Sequence, residues 1–291
     1  MGPGSPSSAE SAHATSTGGL RDRTPATDVL GRPLPQRGQQ FTVTPHHSAD
    51  QTNGKAIMTT TIHTQANESI TSSRAGAIGG LIAAAAFTFG IALFVTSLSD
   101  YTDGGATAAE SVEFLVGHQS TLYLWYFVIY LVFGAAIIPL ARTLRERLVD
   151  ISPELADIGA VFAYIWAGLM FATGMIHNIG IAEVADLHET DPAAAEALWS
   201  SIETVADGLG GGNELVGAMW ILLVSFAAWG TNRLPRGLNI LGIISAVSGL
   251  VTLVPGLTDV GMIFGLGSIA WLAWTGIVLL RRPTSTRGEN A

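Results

Sequence analysis

The stretch IGAVFAYIWAGLMFATGMIHNIGI, Ile158–Ile181, contains no Asp, Glu, Lys or Arg. A helix rises about 1.5 Å per residue, so a run of this length covers the roughly 30 Å of hydrocarbon in a bilayer. Backbone amides find no water there and must pair within their own segment, so the run reads as a membrane-spanning helix. Ser152-Pro153-Glu154 just ahead of it supplies an N-cap, a first-turn proline and an acidic residue suited to the positive end of the helix dipole.

Outward from this run, Ala75–Val95, Leu122–Ala141, Leu238–Leu257 and Val260–Leu280 are also uncharged and long enough to cross. Leu215–Gly230 is shorter and gains length from Asn213, Glu214 and Thr231 at its ends. The expected spans are therefore 75–95, 122–141, 158–181, 214–231, 238–257 and 260–280, an all-α integral membrane bundle of six transmembrane helices. Composition agrees. Of 291 residues, 48% are hydrophobic and 13% charged, and mean hydropathy is +0.40, against about 25% charged in a typical soluble protein.

The distribution of arginines tests this count. After Arg74 the basic residues are Arg142, Arg145 and Arg147, then Arg233 and Arg236, then Arg281, Arg282 and Arg287. With six crossings all fall on one side, and the opposite loops, 96–121, 182–214 and 258–259, contain no Lys or Arg. The positive-inside rule then places both termini in the cytoplasm, including a short tail at 283–291, and the acid-rich loops outside a cell membrane. Removing the 214–231 span would move Arg233 and Arg236 to the outer side.

The first 73 residues differ in kind. They are rich in Ser, Thr, Gly, Pro, Gln and His, and their five basic and five acidic residues cancel. So few apolar groups cannot offset the entropy of ordering, and 1–73 is expected to be a disordered tail ahead of a 74–282 membrane domain. Met58-Thr-Thr-Thr-Ile reads as a natural start, which would make the residues before Met58 a non-native extension.

In the second outer loop, Asp191-Pro192 opens a helix that the glycines at 208 and 210–212 close. Leu198, Ile202, Val205 and Leu209 recur at helical spacing, giving an outward amphipathic helix between the third and fourth spans. Its polar face is acidic, which favours docking on protein over anionic lipid.

The absence of cysteine excludes disulfides, thiolate metal sites and cysteine nucleophiles. The excess of 23 acidic over 14 basic residues argues against a nucleic-acid partner. No His-Glu-x-x-His, Gly-x-Ser-x-Gly or phosphate-loop motif is present, and Ser-x-x-Lys is impossible with Lys55 the one lysine. Nothing therefore assigns a catalytic residue, a metal or a cofactor. Depth alone selects five candidates for a ligand or cation near the outer face: His118, His177, Asn178, Glu214 and Asp259. Each also has a plain structural role available, such as a capping residue or a histidine bonded to a carbonyl. Tyr126, Tyr130, Tyr164 and Trp166 read as aromatic core packing, with a cavity lining as the alternative.

Three runs carry a family resemblance: Arg74-Ala-Gly-Ala-Ile-Gly-Gly80, Arg233-Leu-Pro-Arg-Gly-Leu-Asn-Ile-Leu-Gly242, and Trp271-Leu-Ala-Trp-Thr-Gly-Ile-Val-Leu-Leu-Arg281. On these the chain, over about 74–282, resembles uncharacterised prokaryotic multi-pass membrane proteins of a domain-of-unknown-function family. The resemblance implies a six-helix membrane fold and brings no catalytic residues. The expected role is a non-enzymatic sensor, binding or accessory subunit, with the bilayer and a membrane protein on the outward face as partners. The alternatives are a small-solute or ion permease using a cavity between spans 2, 3 and 4, and a membrane enzyme with an outer-face metal site.

Overall fold

The computed structural model describes residues 50–98, 107–211, 214–254, 256, 257 and 260–281. All regular structure among them is helical. Gly54–Ala291 form one compact unit; Asp50–Asn53, the first turn of the first helix, belong to a separate unit, Met1–Asn53. The helices are α1 (Asp50–Ser97), α2 (Ala108–Tyr126), α3 (Phe133–Leu148), α4 (Pro153–His188), α5 (Pro192–Ala206), α6 (Glu214–Ala227), α7 (Arg236–Val251) and α8 (Gly261–Arg281). π-helical turns at Phe127–Val132 join α2 to α3, and a second π segment, Asp207–Gly211, follows α5. Five helices are long and apolar enough to cross a membrane: Thr71–Ser97, Ala108–Leu148, Pro153–His188, Pro192–Ala227 and Gly261–Arg281.

Several boundaries differ from those read in the sequence. Helix α1 starts at Asp50, so 50–73, expected within a disordered tail, is helical. Once the apolar segment holds its helix, each further turn adds a bond without a new nucleation cost. The last residues of that stretch are also packed. Ser72 Oγ donates to Glu146 Oε2 at 2.6 Å, and Thr143 Oγ1 donates to the Ser72 carbonyl at 2.8 Å.

Helix α2 begins at Ala108, well inside the expected 96–121 loop. Thr107 and Glu110 form a capping box, in which Thr107 N–H donates to Glu110 Oε2 at 2.7 Å and Glu110 N–H donates to Thr107 Oγ1 at 3.3 Å. Helices α6 and α7 are shorter than the 214–231 and 238–257 spans. Gly230, at φ 74, turns the chain after α6, and Thr252 Oγ1 donates to the Gly249 carbonyl at 2.7 Å beyond the end of α7.

Contacts sort the helix ends into two groups. At one end, Ser73 Oγ donates to the Leu279 carbonyl (3.5 Å), Arg145 Nε pairs with Asp157 Oδ1 (2.6 Å), and Ser152 Oγ donates to the Ala227 carbonyl (3.4 Å). The Ser72–Arg74 part of α1, the α3–α4 and α6–α7 turns and the end of α8 therefore meet there, and with them Arg142, Arg145, Arg147, Arg233, Arg236 and Arg281. The other end gathers the end of α1, the start of α2, the end of α4, α5 and the start of α6, where Glu214 Oε1 approaches Gly261 of α8.

Two cores follow. The larger is crossed by an aromatic ladder: Phe87 stacks on Phe133 (centroids 4.0 Å apart), Phe133 meets Trp166 edge-on (4.9 Å), Trp166 meets Trp220 (6.0 Å) and Trp220 meets Trp271 (5.5 Å). It links α1, α3, α4, α6 and α8. Glycines allow the close crossings. A Cβ at Gly276 would press on the Ala77 carbonyl at 2.9 Å, and one at Gly217 on the Trp166 ring at 2.9 Å.

The surface around this core is apolar, with Ile78, Ile165, Ile244, Leu266 and Met262 exposed, while Ser225, Asn239, Ser245, Ser268 and Thr275 are buried. The apolar surface departs from that of a soluble protein, whose exposed apolar patches are small. It is the arrangement of a membrane bundle.

The smaller core lies at the arginine-free end. Leu98, Val112, Leu115, Leu122, Tyr126, Ile181, Val184, Ala195 and Trp199 are buried there between α2, α4 and α5. Its exposed positions include the acidic residues Glu110, Glu113, Glu183, Asp186, Glu189 and Asp191. At 36 residues, α4 is about 54 Å long, so it exceeds a hydrocarbon layer and serves both cores.

Candidate functional site

The junction of the two cores is organised around His177. Its neighbours on α2 and the π turns, Tyr126 and Tyr130, are four residues apart and share a helix face. The imidazole stacks on Tyr126, centroids 3.9 Å apart with 12° between planes, and lies 5.9 Å from both the Tyr130 and Trp199 rings. Two glycines of α4 permit this approach. A Cβ at Gly174 would overlap Tyr130 and Leu131, and one at Gly180 would press on Ile202 of α5 at 2.7 Å.

His177 Nδ1 lies 3.0 Å from the Thr173 carbonyl. A carbonyl can only accept, so Nδ1 carries the proton and Nε2 of the neutral ring is left as an acceptor. The carboxylate of Asp207, on the second π segment, acts electrostatically on both His177 and Tyr130, and that of Glu214 acts on Tyr130. Thr173 Oγ1 and Asn178 Oδ1 are buried without a hydrogen-bond partner. The π turns at Phe127–Val132 carry Tyr130 to the histidine, and such bulges recur at functional sites because they re-aim side chains without ending the helix. The set of one imidazole acceptor, phenols and carboxylates suits reversible binding or proton uptake. It contains no nucleophile–base pair.

The five residues selected by depth fare differently. His177, Asn178 and Glu214 come to this junction. His118 sits apart on the exposed face of α2, stacked on Phe114 (4.0 Å) with Nδ1 donating to the Phe114 carbonyl at 3.0 Å. It marks a kink, with φ −126 and ψ 22. Asp259 lies outside the described residues. Among the described residues, no group of three or more His, Asp or Glu is placed to hold a metal ion.

Depth reasoning missed Tyr126, Tyr130 and Trp199 as partners of His177. The Tyr126–Tyr130 spacing was the available signal. The buried face of α5 also differs from the expected Leu198, Ile202, Val205 and Leu209. Ala195, Trp199 and Ala206 are buried, Leu198 and Ile202 partly so, and Val205 is exposed. Small alanines let α5 lie close, with Trp199 reaching the histidine. No family model, curated protein or solved structure matches the chain.

Proposed function

We propose that the protein is a six-span membrane protein of a prokaryotic cell, with cytoplasmic termini, acting as a non-enzymatic sensor, binding or accessory subunit through its outward face. The observation that carries this reading is the His177 junction. It couples a polar, three-helix outer cap to the bundle through the same continuous helices, α2–α3 and α4. The short α6 and α7 complete the six crossings, a count favoured by the clustering of all described arginines at one end. Amphipathic α5 is then the outermost layer, docked on protein by Trp199. The likeness to multi-pass prokaryotic proteins in the Arg74, Arg233 and Trp271 runs accords with this.

The cysteine-free chain permits a direct test. Single cysteines on the cap, such as Glu196→Cys or Ser200→Cys, should yield one discrete crosslinked adduct in intact cells, while Glu154→Cys at the opposite end should not. Absence of any discrete adduct from cap positions would overturn the reading.

A permease remains the second reading, favoured by a different observation. Ser225 Oγ, Asn239 Oδ1, Ser268 Oγ, Trp271 Nε1 and Thr275 Oγ1 are all buried without hydrogen-bond partners in α6, α7 and α8. Solute flux into proteoliposomes, abolished by Gly242→Val beside Ser225 and Trp271, would favour it over the sensor.

A further inference from the structure

At the arginine-bearing end, α3 and α4 enclose a surface cavity of about 520 Å³ lined by Arg142, Arg145, Glu146, Asp157, Ala160, Val161 and Tyr164. The lining has a vertical order. Arg142 and Arg145 are three apart on one face of α3. Asp157, Ala160, Val161 and Tyr164 follow one face of α4, running from its first turns into the apolar span. Val161 and Tyr164 are exposed and continue the lipid-facing belt through Ile165. The cavity therefore has charged groups at its mouth and an apolar slope below, ending at the Tyr164 ring.

The arginines are held but not used up. Arg142 Nε donates to Glu146 Oε1 at 2.8 Å and Arg145 Nε donates to Asp157 Oδ1 at 2.6 Å. Glu146 Oε2 is itself fixed by Ser72 Oγ at 2.6 Å. These contacts use Nε and aim the two guanidinium planes, leaving their terminal amino groups for another acceptor. Exposed pairs of this kind add little stability, so their value here is orientation. Each guanidinium is a forked, permanently charged donor of the kind that matches a phosphate, and Glu146 and Asp157 in the same lining set two carboxylates beside the two arginines.

The geometry points to a binding site for the phosphate of a glycerophospholipid from the leaflet on the arginine side. The phosphodiester sits between Arg142 and Arg145, and an acyl chain lies along Ala160, Val161 and Tyr164. The apolar slope distinguishes this occupant from a free phosphate, which would leave the lower half of the cavity unmatched.

The test is lipid retention, read by native mass spectrometry of the full chain released from nanodiscs. The nanodiscs contain phosphatidylglycerol or phosphatidylethanolamine in one arm and a phosphate-free diglucosyl diacylglycerol in the other. Phospholipid should be retained about tenfold better than glycolipid, a comparison on the unmutated protein that needs no variant. Arg142→Gln with Arg145→Gln should remove the difference, whereas Arg233→Gln, outside the cavity, should keep it. Equal retention of glycolipid, undiminished selectivity in the double variant, or displacement of the lipid by millimolar inorganic phosphate would each overturn the assignment. The last would mark a soluble-phosphate site.

Discussion

The bundle and the cap at the arginine-free end share α4, and α2–α3 runs from one into the other, yet their surfaces are opposite. Where α4 passes through the bundle it exposes Ile158, Val161, Ile165 and Met175. A few turns on it exposes Glu183 and Asp186. The interiors are both apolar, Phe133, Trp166, Trp220 and Trp271 in the bundle and Leu98, Leu115, Leu122 and Trp199 in the cap, although the bundle also buries Asn239, Ser245 and Thr275. A helix surface answers to its solvent, so the change along a single helix marks where hydrocarbon ends. Secondary structure alone carries no such mark.

The largest effects should come from the two buried tryptophans that anchor these cores. Trp220→Ala removes the ring that joins Trp166 to Trp271 in the aromatic ladder and should cost about 3–5 kcal/mol, lowering the unfolding midpoint of the whole bundle. Trp199→Ala should instead loosen the cap. Hydrogen exchange should rise in α5 and the first half of α2, with the bundle amides unchanged. If Trp199→Ala melts the bundle equally, the two cores are one cooperative unit and the distinction fails.

A smaller and sharper effect compares one charge at two equally exposed sites. Ile165, 46% exposed on the bundle, and Val205, 52% exposed on α5, look alike by accessibility. Ile165→Asp should cost about 3 kcal/mol because its surroundings are lipid, whereas Val205→Asp should stay within about 0.5 kcal/mol because its surroundings are water. Chemical denaturation in bicelles measures both. Equal costs would erase the boundary.

The smallest effect concerns the start of α2. Thr107 N–H and its hydroxyl both donate to Glu110, which holds that carboxyl below the ordinary carboxylate range. A depressed folded pKa means the cap contributes its full stability above the unfolded carboxylate pKa and loses it as pH falls through the lower, folded value. Exchange at the start of α2, corrected for intrinsic pH dependence, should therefore quicken under acid. Glu110→Gln should remove that dependence, and an unaltered acid response in the variant would show that another group is responsible.

The apolar runs made the bundle legible from residues alone, and the arginines sorted its ends, because lipid imposes coarse constraints that composition records directly. The junction was only half legible. Depth brought His177, Asn178 and Glu214 to one end of the molecule. It could not foresee Tyr126 and Tyr130 turned onto the imidazole, because the π turns at Phe127–Val132 shift the helix phase without any proline or glycine to announce them. The face of α5 was misphased for a related reason. Large side chains suggested Val205 and Leu209, but close packing was set by Ala195 and Ala206 around one inserted tryptophan. The capping box at Thr107–Glu110 is present in the sequence as Thr-Ala-Ala-Glu, inside the 96–121 stretch that reads as a loop by its hydropathy.

The most direct measurement is a scan of single cysteines along α4 at positions 161, 165, 175, 179, 183 and 186, in native membranes, with a water-soluble maleimide. If the bundle is sheathed in lipid, positions 161, 165 and 175 stay unlabelled until the membrane is dissolved, while 183 and 186 react at once from the acidic side. Ready labelling of 165 and 175 in intact membranes would mean that water, not hydrocarbon, surrounds the bundle.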